Sequence, residues 1–369
     1  MIQRRWLLTP GPTPVPDFVW TAMQRARGIH HRHPEFRAVW EDVTATLQAL
    51  WHVDTPVILI TGSGTAGMDA LVSNLFAPGE KVIVGTIGKF GDRWVDIARQ
   101  RGLQVVEVRR PLGYALHPEH IADTLRAHPD ARGLLMQACE TSTGVENPLA
   151  AIAPVVRARE VFWIVDAISG LGTMDIRIRE WGIDGIVTAS QKAWMLPPGL
   201  AMVALSARAW DKVRVTPHRP YYLDLLRLRA GQLESTGAFT PAIELVFGLQ
   251  EVLKYIKHRG GLEALVDHCR QLAEMCRQFF TAHGWSLFAQ EHPAAALTAV
   301  ELPSELQSTD WLGYLKTQYG LWVAGGQGPL KGRIFRIAHM GYVDRVTLAG
   351  ALEAIEAARQ TLQSTTALP

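Results

Sequence analysis

Apolar positions along the first two thirds of the chain follow two alternating rhythms. Val39, Trp40, Val43, Leu47 and Leu50 fall at helical spacing between residues 36 and 51, whereas residues 56–60 form a short unbroken apolar run that reads as a buried strand. Thr61-Gly62-Ser63-Gly64-Thr65-Ala66-Gly67 follows, and then a helical pattern over 68–76. Further strand-like runs occur at 81–85, 105–108, 133–138, 161–165, 183–189 and 200–206, with a helical stretch at 92–101. Strands alternating with helices predict an α/β fold with a mostly parallel, doubly wound sheet between helices. Its ligand site should lie outside the carboxyl ends of the strands.

Beyond residue 207 the pattern changes. Residues 217–226 are irregular and aromatic, and 235–241 form a polar connector. A long helix is expected to start near Pro241, with proline in its first turn, and to run to about His258, where Gly260-Gly261 breaks it. Residues 262–283 read as another helix, and 296–302, 321–323 and 333–338 as short strands. The expected organisation is an N-terminal arm (1–20), a large domain (21–255) and a smaller C-terminal α+β domain (256–369).

Composition narrows the function. Of 369 residues, 48% are hydrophobic and 20% charged, enough for an ordinary folded core, and the net charge of +2 supplies no strong basic excess for nucleic acid or a membrane surface. A small-molecule partner is therefore expected. No run of eighteen apolar residues suggests a membrane span, and the first apolar run is stopped by Thr9-Pro10-Gly11-Pro12, too early for a signal peptide. Three cysteines, Cys139, Cys269 and Cys276, without a CxxC pair fit a reducing, cytoplasmic compartment. His30-His31-Arg32-His33 could be mistaken for a metal cluster. Adjacent histidines cannot all converge on one ion, so a polar loop near a site or interface is the expectation.

The candidate chemistry sits at predicted strand ends. After the apolar run 183–189 comes Ser190-Gln191-Lys192, and Pro197-Pro198-Gly199 then stops any regular element, so one lysine is held in a rigid turn. Burial lowers a lysine's pKa and makes its amine a nucleophile toward an aldehyde. Asp166 follows five apolar residues, where an unpaired carboxylate is costly and a cationic partner is expected. Ser63, Gly64 and Thr65 lie between a strand and a helix, an arrangement that offers backbone N–H groups to a phosphate; it is neither a Walker A loop nor a GxGxxG fingerprint, and a tight structural turn is the other reading. Phe90, near two glycines, is a core plug or a ring-stacking face. Residues 9–16 are proline-rich, and Gly11 suits either a plain linker or an arm whose backbone approaches a ligand. An aldehyde trap, a carboxylate, a phosphate cup and a stacking face are what pyridoxal 5'-phosphate requires.

With these motifs in order, from Leu8-Thr9-Pro10-Gly11-Pro12 through Thr61–Thr65, Glu140-Thr141-Ser142-Thr143-Gly144, Val165-Asp166 and Ser190-Gln191-Lys192 to Phe335-Arg336-Ile337, the chain resembles over essentially its whole length the class V aminotransferases of the alanine–glyoxylate and serine–pyruvate group, of fold type I. The resemblance implies a pyridoxal-phosphate-dependent transaminase that moves an amino group from alanine or serine to glyoxylate or pyruvate by a ping-pong cycle. It implies that Lys192 forms the Schiff base and shuttles the Cα proton, and that Asp166 pairs with the ring nitrogen. Phe90 and Ile168 would cover the two ring faces, and Ser63, Gly64, Thr65 and Gln191 would hold the phosphate. Thr141, or Ser142 one position on, would meet the ring hydroxyl. Arg336 would bind the substrate carboxylate with Gly11 beside it, and Thr240 and Thr236 would be lent by the second subunit of a homodimer. Two positions depart from the family: Ala138 stands where a histidine is frequent, and the 235–240 connector lacks the tyrosine and histidines of some relatives. Other class V chemistry, such as that of a ureidoglycine–glyoxylate aminotransferase, a desulfurase or a lyase, is the nearest alternative. A non-catalytic phosphate-binding α/β protein is a more distant one.

Overall fold

The structure, a computed structural model, describes residues 5–306 and 310–366. Its centre is a seven-stranded sheet in the order Ile58–Thr61, Leu200–Leu205, Gly185–Ala189, Phe162–Asp166, Gly133–Gln137, Lys81–Thr86, Gln104–Arg109. The last five run parallel to one another, while Leu200–Leu205 is antiparallel to both of its neighbours. The apolar runs are unbroken because both faces of the sheet are covered. Within each strand the residues alternate between two cores. Ile83, Leu134, Met136, Trp163, Val165 and Ile186 join one, and Val82, Val84, Leu135, Ile164 and Val187 the other.

Several element starts differ from the sequence reading, among them those of two helices beside the large sheet. The helix expected from residue 68 begins at Gly64 (Gly64–Leu75), so the hydroxyl-and-glycine segment is its first turn. Glycine is needed there: a Cβ on Gly64 would come within 2.9 Å of Ile168 Cγ1, and one on Gly67 within 3.0 Å of Val203 Cγ2, so the helix could not lie this close to the sheet with larger residues. The long C-terminal helix is Ile243–His258, which leaves Pro241 outside it. The Ala242 N–H is instead taken by the Thr61 hydroxyl at 3.0 Å, which ties the connector to the end of the first sheet strand.

A second, three-stranded antiparallel sheet (Leu297–Glu301, Ile334–Ala338, Ala324–Gly325) packs with the helices Gly261–Ala282, Trp311–Tyr319 and Arg345–Thr366 around Phe280, Trp285, Phe335, Ile337 and Ile355. The N-terminal arm joins this unit. Trp6–Leu7 pairs with Leu321–Trp322, and Leu8 is buried in the same core. Residues 10–13 are thereby carried across to the large sheet. No helix among the described residues is long and apolar enough to cross a membrane.

Candidate active site

The loops following Thr61, Thr86, Gln137, Asp166 and Ala189 converge at one end of the central sheet, and Ser63, Phe90, Thr141, Ile168 and Lys192 lie on or just beyond them, while Gly11, Thr240 and Arg336 come from elsewhere in the chain. Lys192 sits in a turn closed by Ser190, whose hydroxyl donates to Pro197 O at 2.7 Å and accepts from Leu200 N at 3.2 Å. The same turn holds Met195 at φ 54°, a left-handed conformation uncommon for a non-glycine residue. From the arm, Thr13 N donates to Gln191 O at 3.1 Å and Thr13 Oγ1 to Lys192 O at 2.9 Å. The Lys192 amine donates to Pro10 O, and Gly11 lies directly against its side chain. With φ at +112°, Gly11 is in glycine's own region, and a Cβ there would come within 2.7 Å of Lys192 Cε.

Burial sets the protonation of this pair of groups. Desolvation lowers the Lys192 ammonium to about 8, opposed by the nearby Asp166 charge and assisted by Arg336 and Arg93. Desolvation raises the Asp166 carboxyl to about 7, opposed by the Ile168 N–H that its Oδ1 accepts at 2.8 Å, while Glu140 pushes in the same direction as burial. Among the described residues no hydrogen bond reaches Asp166 Oδ2. The cation expected beside Asp166 therefore acts at a distance, and among the described residues none forms an ion pair with it.

Arg336 lies on the small-domain strand Ile334–Ala338, between Phe335 and Ile337, which point into the small-domain core. Its own side chain alternates to the other side, as the spacing predicts, but is buried there too. It donates to Gly325 O (3.0 and 2.7 Å) and to Thr141 O (2.7 Å). Among the described residues this guanidinium is hydrogen-bonded only to carbonyls and has no paired carboxylate; burial lowers its pKa to about 10, opposed by the more distant charge of Glu140. It is an invitation to an anion.

Glu140, quoted in the sequence reading as part of a motif and given no role, proves to be the hub. Fully buried, it accepts from Phe90 N (2.9 Å), Gly91 N (3.1 Å), Gln137 Nε2 (3.2 Å), Ser142 N (3.1 Å) and Ser142 Oγ (2.6 Å). It thus fills the N-terminus of the helix Lys89–Gln100, so the anion-binding end of that helix is already taken. The Ser142 hydroxyl is committed to this network, whereas Thr141 is tied to Arg336 by its carbonyl alone among the hydrogen bonds described. Phe90, expected in a loop, stands half-buried in that helix's first turn, with the Arg93 guanidinium 4.8 Å from its ring centroid. Arg93 also donates to Thr65 Oγ1 at 3.1 Å. Placing the helix start at Lys89 instead of Asp92 would have set Phe90 and Arg93 three apart on one face and drawn attention to the arginine.

Ser63, Gly64 and Thr65 begin the helix Gly64–Leu75, and Ser63 makes no side-chain cap bond to it. Thr240 is exposed and Thr236 half-buried on the connector; neither has a described contact with Lys192 or Asp166. His33 caps the helix Pro34–Leu50 and His30 accepts from Arg32 N, so the histidine run serves local backbone. All three cysteines are buried, and desolvation raises their thiols, Cys139 well above the ordinary value and Cys269 and Cys276 to about 12.

Residues 5–348 match the model of the family described as aminotransferase class-V. The chain belongs to that family. It is 35% identical to a protein named as the small subunit of a soluble hydrogenase from Synechococcus sp. (strain PCC 6716), over 100% of this chain and 96% of that one. Among solved structures it superposes on an aspartate aminotransferase of subgroup IV from Thermus thermophilus with a TM-score of 0.89 at 34% identity, over 97% of this chain and 99% of that one. An alanine–glyoxylate aminotransferase from Nostoc sp. matches with a TM-score of 0.91 at 28% identity, over 97% and 96% of the two chains. The class V aminotransferase described here is thus a fold-type I, pyridoxal-phosphate-dependent transaminase.

The residues present fit that cofactor. Among the described residues Asp166 Oδ2 has no hydrogen bond and could meet a ring N–H, the helix Gly64–Leu75 has no side-chain cap and could meet a phosphate, and Lys192 is close enough to Asp166 for each to shift the other's protonation.

Proposed function

We propose that this class V aminotransferase transfers the amino group of alanine or serine to glyoxylate or pyruvate, in two half-reactions in which the donor leaves as a 2-oxo acid before the acceptor enters. The observation that carries the reading is the pairing of a buried, easily deprotonated lysine with a buried arginine that lacks an acidic partner. When bound, pyridoxal phosphate supplies an aldehyde for an amine and a protonated ring that accepts the electron pair released at Cα.

The protein's part follows from its own groups. Lys192 Nζ would hold the cofactor through its aldehyde carbon, the aldehyde oxygen leaving as water, and as a free amine would move a proton at the substrate's Cα. Asp166, as a carboxylate, holds the proton on the ring nitrogen; with a cation against Oδ2, its pKa falls from about 7 and the ionised form dominates. Ser63, Gly64, Thr65 and Gln191 would hold the phosphate, Phe90 and Ile168 would flank the ring, and Thr141 would meet the ring hydroxyl. Arg336 binds the carboxylate of donor and acceptor in turn by a bidentate contact, with the Gly11 backbone beside it.

The site is read as shared between two copies of the chain. Tyr221 and Tyr222 are exposed and pack on Phe239, and the Tyr222 hydroxyl donates to Thr61 O at 3.2 Å, so an aromatic surface adjoins the phosphate turn. A second copy seated there would cover it and bring Thr240 and Thr236 to its partner's phosphate. Three buried free thiols suit a reducing cytoplasm. The burial of all three cysteines leaves no mobile thiol for a desulfurase.

The purified protein should be yellow. Addition of L-alanine or L-serine should bleach the visible band within a turnover, and glyoxylate or pyruvate should restore it. A band that responds to no amino acid sinks the transaminase reading of the site, and one that responds to L-aspartate while ignoring alanine and serine sinks the proposed donor class alone.

A further inference from the structure

Arg93 is the charged group at this site for which the reaction so far has no use. Three cations lie around the site, Lys192, Arg336 and Arg93, and the electrostatics of both Asp166 and Lys192 register the third. Among the described residues Arg93 pairs with no carboxylate. Its Nη1 donates to the Thr65 hydroxyl at 3.1 Å, and its guanidinium lies over the Phe90 ring, 4.8 Å from the centroid. Both contacts lead to the same place. Thr65 is the second residue of the helix Gly64–Leu75, whose start has no side-chain cap, and Phe90 opens the neighbouring helix Lys89–Gln100, whose start is closed by Glu140. Of these two helix N-termini, the open one is the one Arg93 serves.

We propose that Arg93 is a positioning residue for the phosphate of the cofactor, acting through Thr65. A hydroxyl that accepts a charged hydrogen bond has its own proton turned away from the donor and polarised, so the Thr65 O–H becomes a stronger donor toward an anion at the helix start. The guanidinium adds a positive charge one side chain away from the phosphate, where exposed parts of the molecule would screen it but a half-buried pocket does not. By covering one face of Phe90, Arg93 also leaves the other face for a flat ring. Phosphate grip and ring stacking are thereby referred to one side chain.

The proposal rests on the pyridoxal-phosphate reading, and the test separates the two. Full-length protein stripped of cofactor is titrated with pyridoxal phosphate and with pyridoxal, which has the same aldehyde and ring without the phosphate, following the visible band; circular dichroism reports the fold. Failure of the wild-type protein to develop the band with pyridoxal phosphate would remove the reading itself. Given wild-type binding, Arg93→Met should weaken pyridoxal phosphate by about tenfold or more, the scale of one charge-assisted hydrogen bond, and change pyridoxal by less than about twofold. Arg93→Lys, which keeps the charge without the planar fork, should recover part of the loss. In a Thr65→Val background the Arg93→Met loss should shrink, because the two act in series. Equal weakening of both ligands, no weakening of either, or an effect confined to KM for a dicarboxylic amino acid would each overturn it. Should Arg93→Met fail to fold, the comparison of Thr65→Val with Arg93→Lys on the two ligands reads the same difference.

Discussion

At the scale of single residues, the site works by withholding water from groups that would otherwise sit at their ordinary protonation. Lys192 and Asp166 are both almost wholly buried, and burial moves them toward one another, the ammonium down to about 8 and the carboxyl up to about 7. Only the neutral amine attacks an aldehyde. Below about pH 8 Lys192 is mostly protonated, so the rate at which cofactor loads onto the stripped protein should rise with pH and level off above about 8. An unperturbed lysine would keep gaining toward its ordinary value of 10.5. Stopped-flow absorbance across pH 6 to 10, with the cofactor's own titration subtracted, measures the midpoint, and continued increase beyond pH 9.5 would contradict the burial argument. Gly11 belongs to the same scale: its missing side chain is the space that the lysine fills.

At the scale of elements, Lys192, the proposed Schiff-base residue, is held by a turn whose geometry depends on one hydroxyl. Ser190 is fully buried and bridges both sides of the segment 190–200, donating to Pro197 O and accepting from Leu200 N, while Ser190 N itself donates to Leu200 O at 2.9 Å. Ser190→Ala leaves a buried carbonyl and a buried N–H without these partners. The expected cost is about 1–3 kcal/mol, read as a lower urea midpoint with an unchanged slope. Turnover should fall more than cofactor affinity, because the turn also aims the amine. An unshifted midpoint would mean that water or backbone repair replaces the bridge. Glu140 makes a comparable tie between elements, joining the helix that carries Phe90 to the loop that carries Thr141, and through that residue's carbonyl to Arg336.

At the scale of the whole molecule, the arm, the large sheet and the small domain meet at Lys192. The arm is anchored on the small domain by Trp6–Leu7 and Leu8, yet its residues 10–13 touch the lysine turn, so a shift between the domains would be felt at the amine. The aromatic surface at Tyr221 and Tyr222, 70% and 45% exposed, is the expected seat of the second copy. Changing both to aspartate should convert a species of twice the chain mass into one of single mass by sedimentation, with the circular dichroism retained and cofactor affinity reduced. A doubly substituted protein that stays dimeric and keeps its cofactor would place the interface elsewhere.

Local pattern carried much of this. The alternation of apolar runs with helical spacing was enough for a doubly wound sheet, because a strand buried on both faces must be apolar at every position. Lys192, Asp166 and the Ser63–Thr65 segment were visible because each follows such a run, which puts it at a strand's carboxyl end whatever the exact boundary. Arg336 was legible from its two apolar neighbours, which aim it away from their own core. Other features depended on approach across long stretches of chain. Glu140 gathers donors from residues 90, 91 and 137 as well as from its neighbour Ser142, and Arg93 reaches Thr65 across 28 positions. Pro241 lies outside its helix, and the next N–H, that of Ala242, is claimed by Thr61, far away in sequence. Periodicity reports which side of an element a residue faces; only the packed chain decides which partner stands on that side, and with it which buried charges are compensated and which are left open for a ligand.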